Sequence, residues 1–195
     1  QLKKWKVRKK VKSIKGQKVY TWTARKIKRH EKEQFSPHIK DILPCVQFGY
    51  PVSWYQAFKN LLRGFDSRIS TSIKDAALKV TENSRGFELK LKAVYEFVQK
   101  NIEPGNRYSS AFQTLLQRKG SKTSLALAML RSLDFKASEV FVSLNTSYYE
   151  PAYIFPTQYN FPGRLIMIKN ESKTYWMCFD FEKYLFNKVP RKYLS

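Results

Sequence analysis

The chain has 195 residues, 43% hydrophobic and 15% aromatic, enough to bury one well-packed domain or a compact domain with a smaller piece attached; wholesale disorder is excluded. Its 37 Lys and Arg against 15 Asp and Glu give a formal charge of +22, concentrated in residues 1–40, where 15 basic residues meet only Glu31 and Glu33. Two cysteines, Cys45 and Cys178, are too few for a disulfide framework or a zinc cluster, and no apolar run approaches the roughly 20 residues needed to span a bilayer.

The first predicted element is a β-hairpin. Val7 and Val11 precede Ser13-Ile14-Lys15-Gly16-Gln17, and Val19-Tyr20-Thr21-Trp22-Thr23 follows, rich in β-formers. Lysines interleave with the apolar residues, which suits strands with one wet face and discourages edge-to-edge aggregation. Residues 30–52, with Pro37, Pro44 and Pro51, read as a connector. Ser53 then has the chemistry of an N-cap, and Trp54, Phe58, Leu61 and Leu62 recur at helical spacing. A second helix is predicted from Ile73 to Val80 with Ala76 and Ala77 inward, and Ser84-Arg85-Gly86 breaks the chain. The third helix carries Leu91, Val94, Val98 and Ile102 on one face and ends at Pro104-Gly105.

After a loop through Arg107 and Tyr108, Ala111–Gln117 is a short helical turn and Lys119-Gly120-Ser121 a break. The segment Thr123–Leu133 is apolar all round, as a buried central helix would be. Strands are expected at Glu139–Leu144, Arg164–Lys169 and Thr174–Asp180, the last two joined by a turn at Asn170-Glu171-Ser172-Lys173. Helices first, sheet last and a buried helix between them give an α+β fold. The organisation is read as a basic β-rich segment and proline connector over 1–50, followed by a domain over 51–195. The chain opens at Gln1 without a secretory leader and reads as a region of a longer protein.

The order of these features resembles the bacterial transglutaminase-like proteins, which have a papain-like cysteine-hydrolase fold and often an upstream β-rich domain of unknown function. The matching residues are Tyr20-Thr21-Trp22, His30-Glu31, the connector from Pro37 to Val46, and Ser53-Trp54-Tyr55. They continue through Lys92 to Ile102, Leu125–Leu133, and Arg131 to Ala137, where the family has a helix end followed by Leu-Gly-Ile-x-Ala. Phe155-Pro156, Phe161, Tyr175 to Asp180 and Val189-Pro190 complete the match. The resemblance implies helices packed on an antiparallel sheet, an extracytoplasmic setting (periplasmic or cell envelope) and membership of a larger exported protein.

The family's chemistry needs a cysteine at the N-terminus of the buried helix, where the helix dipole and a histidine favour the thiolate, and a carboxylate that orients the imidazole. Here Ser121 best matches the nucleophile position, with Ser124 or Lys119 as alternatives; Gly163 falls at the histidine position; Asp180 matches the carboxylate. The triad is therefore degenerate, and the chain is expected not to be an enzyme. A Ser–Lys pair of Ser121 with Lys122, a reactive Cys178 on the strand face of Asp180, or a separate pairing of His30 or His38 with Cys45 are the routes left to an unorthodox hydrolase or acyltransferase. The bland readings are a buried core thiol at 178 and solvated histidines.

No cofactor or metal is expected. The leading expectation is a non-catalytic interaction module for a protein or peptide, its partner acidic, or for an anionic membrane surface or polymer. Motifs of the zinc-finger, RRM and KH kinds are absent, so specific nucleic-acid recognition is not expected. The aromatic run Tyr148, Tyr149, Tyr153, Phe155, Tyr159 and Phe161 either lines a groove or packs over the sheet.

Overall fold

Lys15 and Gly16 both take positive φ (49° and 78°), the backbone twist of a two-residue hairpin turn. They join β1 (Val7–Ile14) to β2 (Gln17–Ala24) in an antiparallel pair that runs from Val7↔Ala24 to Ile14↔Gln17. In this computed structural model the described residues are 7–26, 53–63, 65–143, 161–171, 173–180 and 184–193. They belong to two units, one holding the hairpin and the other spanning Val52–Asn145 and Pro156–Ser195. The hairpin departs from the expectation of one wet face. All of β1 is exposed, and in β2 only Trp22 and Ala24 are half-buried, because no third described strand joins this ribbon.

The first described residue of the second unit is Ser53, whose hydroxyl accepts the Gln56 N–H at 3.2 Å and caps α1 (Trp54–Arg63). Ser70 caps α2 (Thr71–Thr81) in the same way. The next helix, α3 (Phe87–Asn101), follows Gly86 and buries Leu91, Val94, Tyr95 and Val98. Ile102 leaves it in extended conformation, and Glu103–Pro104 (β3) makes a two-residue parallel pairing with Lys119–Gly120 (β4). Between those two strands, a capping box of Ser110 and Gln113 starts α4 (Ala111–Gln117).

The core is built around α5 (Lys122–Ser132), in which every residue from Lys122 to Leu130 is buried. It packs against α2, α3 and α4 and against the sheet. Past its end, Asp134 adopts the left-handed conformation (φ 61°) and the Phe135 N–H returns to the Leu130 carbonyl at 3.1 Å. The sheet is antiparallel, in the order β5 (Ala137–Val142), β6 (Gly163–Asn170), β7 (Lys173–Cys178). Thus the mixed α+β class expected from the sequence is the one observed.

Strand bounds differ from expectation by up to two residues, β5 at both ends and β7 at its end. Pairing of β5 begins at Ala137 opposite Ile168, and β7 stops at Cys178, two residues short of Asp180. On β6, alternation puts Arg164 on the same face as the core residues Ile166 and Ile168, so the first of the three is aimed into the helix layer. Leu130 is fully buried on α5. Replacing it with Ala is expected to cost about 3 kcal/mol by urea denaturation; a loss under about 1 kcal/mol would mean that α5 is not the centre of the core.

Candidate functional site

The start of α5 is held by small side chains. Gly120 has φ 142°, and a Cβ there would lie 2.6 Å from Thr114 Oγ1 and 3.0 Å from Ser109 Cβ, so only glycine fits against α4. That approach lets Thr114 Oγ1 accept the Ser121 N–H at 3.1 Å. Ser121 is the N-cap: its Oγ accepts the Ser124 N–H at 3.3 Å and donates to Ser124 Oγ at 2.8 Å. Both serines are buried.

Into this helix end projects Arg164, only 4% exposed. Its Nε donates to Glu139 Oε1 in a buried ion pair. One terminal nitrogen donates to Ser121 Oγ at 3.2 Å and to the Arg107 carbonyl at 3.3 Å, and the other to Ser124 Oγ at 3.3 Å. The guanidinium carbon lies 3.7 Å from the centre of the Phe65 ring, a stacked cation–π contact. Burial pulls the Arg164 pKa down from its ordinary value, and the charge of Glu139 works against that shift. Guanidinium offers only donors and keeps its proton, so it cannot take one from Ser121.

Asp180 sits at the mouth of the site and is exposed. Its Oδ2 accepts the backbone N–H of Arg164 at 3.1 Å and the hydroxyl of Tyr193 at 2.8 Å. Tyr193 belongs to a 3₁₀ turn, Arg191–Tyr193, and its phenol is pushed up in pKa by burial and by the bond to Asp180, which keeps it a donor. The Tyr193 ring also lies against Gly163, where a Cβ would come within 2.5–2.7 Å of three ring and hydroxyl atoms. A histidine at 163 therefore has no room while Tyr193 holds this position. A shallow cleft of about 280 Å³, lined by residues including Arg107, Ser121, Arg164, Phe179 and Asp180, is what opens to solvent.

The structure thus brings Ser121, Arg164 and Asp180 to one place, with Gly163 beside them. Ser124, the alternative nucleophile position, is a second ligand of the same guanidinium. Lys119, the other alternative, is exposed and lies 3.9 Å from Glu103. Lys122 directs its Nζ to the Gln99 carbonyl (3.2 Å) and side-chain oxygen (3.1 Å) on α3.

One expectation is corrected. Cys178 does not share a strand face with Asp180, because β7 ends at Cys178; the thiol is free and fully buried, whereas Asp180 is exposed. Burial pushes that thiol's pKa up to about 11. His30, His38, Cys45 and the aromatic run from Tyr148 to Tyr159 lie outside the described residues. Phe161 is described and packs edge-on against Trp54, centroids 5.7 Å apart.

Sequence reasoning missed Arg164, Glu139 and Tyr193. A signal existed for the first two: one Arg and one Glu, each inside a predicted strand with no other charge of its sign nearby on the buried face.

No protein-family model and no curated protein matches the chain. In fold it is similar to the crystal structure of a candidate protease from Parabacteroides distasonis ATCC 8503, with a TM-score of 0.64 and 16% identity. The match covers 88% of this chain and 35% of that one, so the chain spans about a third of its neighbour's length. At that identity the likeness is one of fold.

Arg164→Met strands Glu139 in the core and is expected to destabilise by about 3–5 kcal/mol. Adding Glu139→Leu should recover most of the loss, giving strong coupling in a double-mutant cycle; additive losses would mean the pair does not interact. In a Cys45→Ser background, Cys178 should be alkylated at pH 8 far more slowly than a free thiol, since a pKa near 11 in place of 9.0 leaves roughly a hundredth of the thiolate. Urea should restore the ordinary rate; equal rates with and without urea would place the thiol at the surface.

Proposed function

We propose that the chain is a transglutaminase-like module that binds rather than cuts, with its papain-like centre closed by an arginine. The observation that carries this reading is the Arg164 guanidinium at the N-terminus of α5, bonded to Ser121 and Ser124 and paired with Glu139. A nucleophile at that end needs a base to accept its proton. Ser121 has a hydroxyl and a guanidinium instead, and none of the described residues is a histidine.

Two further features support the papain-like assignment. A buried helix is followed by an antiparallel sheet whose strands bring positions 163–164 and 180 to the helix start, the order the resemblance calls for. Asp134 takes a left-handed conformation where the family pattern has glycine. In this reading the module acts outside the cytoplasm within a larger exported protein, and its partner is a protein, a peptide or an anionic polymer that meets the charge of +22.

The test is labelling of the full chain with a fluorophosphonate for serine and an epoxide or iodoacetamide for cysteine, alongside peptidase and amidase assays. No modification of Ser121 is expected, and Ser121→Ala should leave any background hydrolysis unchanged. Stoichiometric labelling of Ser121, or hydrolysis lost in the Ser121→Ala variant, would overturn the reading in favour of a hydrolase.

A further inference from the structure

Between residues 7 and 26 there are eight Lys and Arg and no acidic residue. The register sorts them by face. Arg8, Lys10 and Lys12 share one face of the ribbon with Thr23, Thr21 and Val19, their cross-strand partners. The opposite face carries the aromatic pair, Tyr20 stacked on Trp22 at 5.8 Å with Lys9 Nζ 5.3 Å above the Tyr20 ring. Every member of the cationic face is exposed, and none of its three cations makes an ion pair with a described residue. Because alternate residues in a strand lie about 6.7 Å apart, these cations form a line with the repeat of an extended chain.

We infer that the outer edge of β1 is a docking strand for an extended acidic peptide, which adds to the hairpin as a third strand and sets alternate carboxylates opposite Arg8, Lys10 and Lys12. No described strand pairs with that edge. Ile14 and Gln17 flank the two-residue turn, so they and every second residue along β1, among them Lys12, Lys10 and Arg8, bond toward β2. The N–H and C=O groups of Ser13, Val11, Lys9 and Val7 therefore point outward. A guest strand would bond to those four and would face the three cations at the non-hydrogen-bonded positions, where cross-strand side chains come closest.

The same charges select the occupant. A second copy of β1 would set cations against cations across the new ladder, which like-charge repulsion opposes. A single-stranded nucleic acid stacked on Tyr20 and Trp22 would use the opposite face, with Lys9 and Lys18, and would leave the Arg8, Lys10 and Lys12 stripe and the open edge unused. An anionic membrane would use the charge without needing the edge or its register. An acidic strand uses all three: charge, spacing and a backbone edge that no described strand pairs with.

This names the partner class for the binding reading above and rests on it, but its readout is the hairpin and not Ser121, so the two can fail separately. The experiment is fluorescence anisotropy of the full chain with a fluorescein-labelled peptide as long as β1 in which Glu alternates with Thr. Three controls accompany it: a peptide of the same composition with its Glu in one block, an alternating peptide N-methylated on every second residue, and a labelled single-stranded oligonucleotide. Vesicles containing phosphatidylserine provide the membrane arm.

Binding of the alternating peptide is expected to weaken at least about five-fold with the blocked sequence, with N-methylation and with Lys10→Glu. Lys18→Glu removes the same net charge from the other face and should change it little. Equal affinity for the blocked or N-methylated peptide would overturn the proposal, as would equal sensitivity to Lys10→Glu and Lys18→Glu. Tighter binding to the oligonucleotide or to vesicles would overturn it in favour of those partners.

Discussion

A positive charge buried at the N-terminus of a helix is opposed twice, by loss of water and by the half-positive end of the helix dipole. The second unit is organised around removing that opposition for Arg164. Glu139 supplies the counter-charge from the neighbouring strand, Ser121 and Ser124 accept from the outer nitrogens, the Arg107 carbonyl accepts one more bond, and Phe65 presents its ring face. Apart from the two serines, each partner comes from a different part of the chain. The loop after α1, the segment before α4, the first turn of α5 and two strands of the sheet are thereby tied to one side chain.

The consequence is both chemical and steric. The dipole that lowers a thiol's pKa in a cysteine hydrolase is here directed at a hydroxyl already bonded to a cation. Asp180, which would orient an imidazole in such an enzyme, accepts a backbone N–H of β6 and the Tyr193 phenol. Tyr193 in turn lies over Gly163 and occupies the space a ring at that position would need. Carboxylate, helix end and ring thus hold one another in place around a small cleft.

Much of the architecture could be read from local pattern. The Lys15-Gly16 turn, the Ser53 cap, the apolar face at Leu91, Val94 and Val98, and the all-round apolar run of α5 follow from spacing and turn chemistry, which act within one element. Strand ends were less legible: Cys178 and Asp180 look like neighbours on one face only if the strand continues, and it stops where pairing with Leu165 runs out. The tiers of the site separated in the same way. Ser121 and Asp180 were reached through the family resemblance, whereas Glu139 had only a lone charge in a strand as its signal and Tyr193 had none.

By itself, then, the sequence determined the α+β class, the order of elements and the basic hairpin. These depend on residue identity and on periodicities of two and 3.6. Only the tertiary structure decided what surrounds the start of α5. Arg164 meets Glu139 across 25 positions, Ser121 across 43 and Phe65 across 99, and no local pattern encodes which distant acid, hydroxyl or ring a buried guanidinium will find. That choice is made when the sheet closes on α5, because only then does leaving the charge unpaired carry its full desolvation cost.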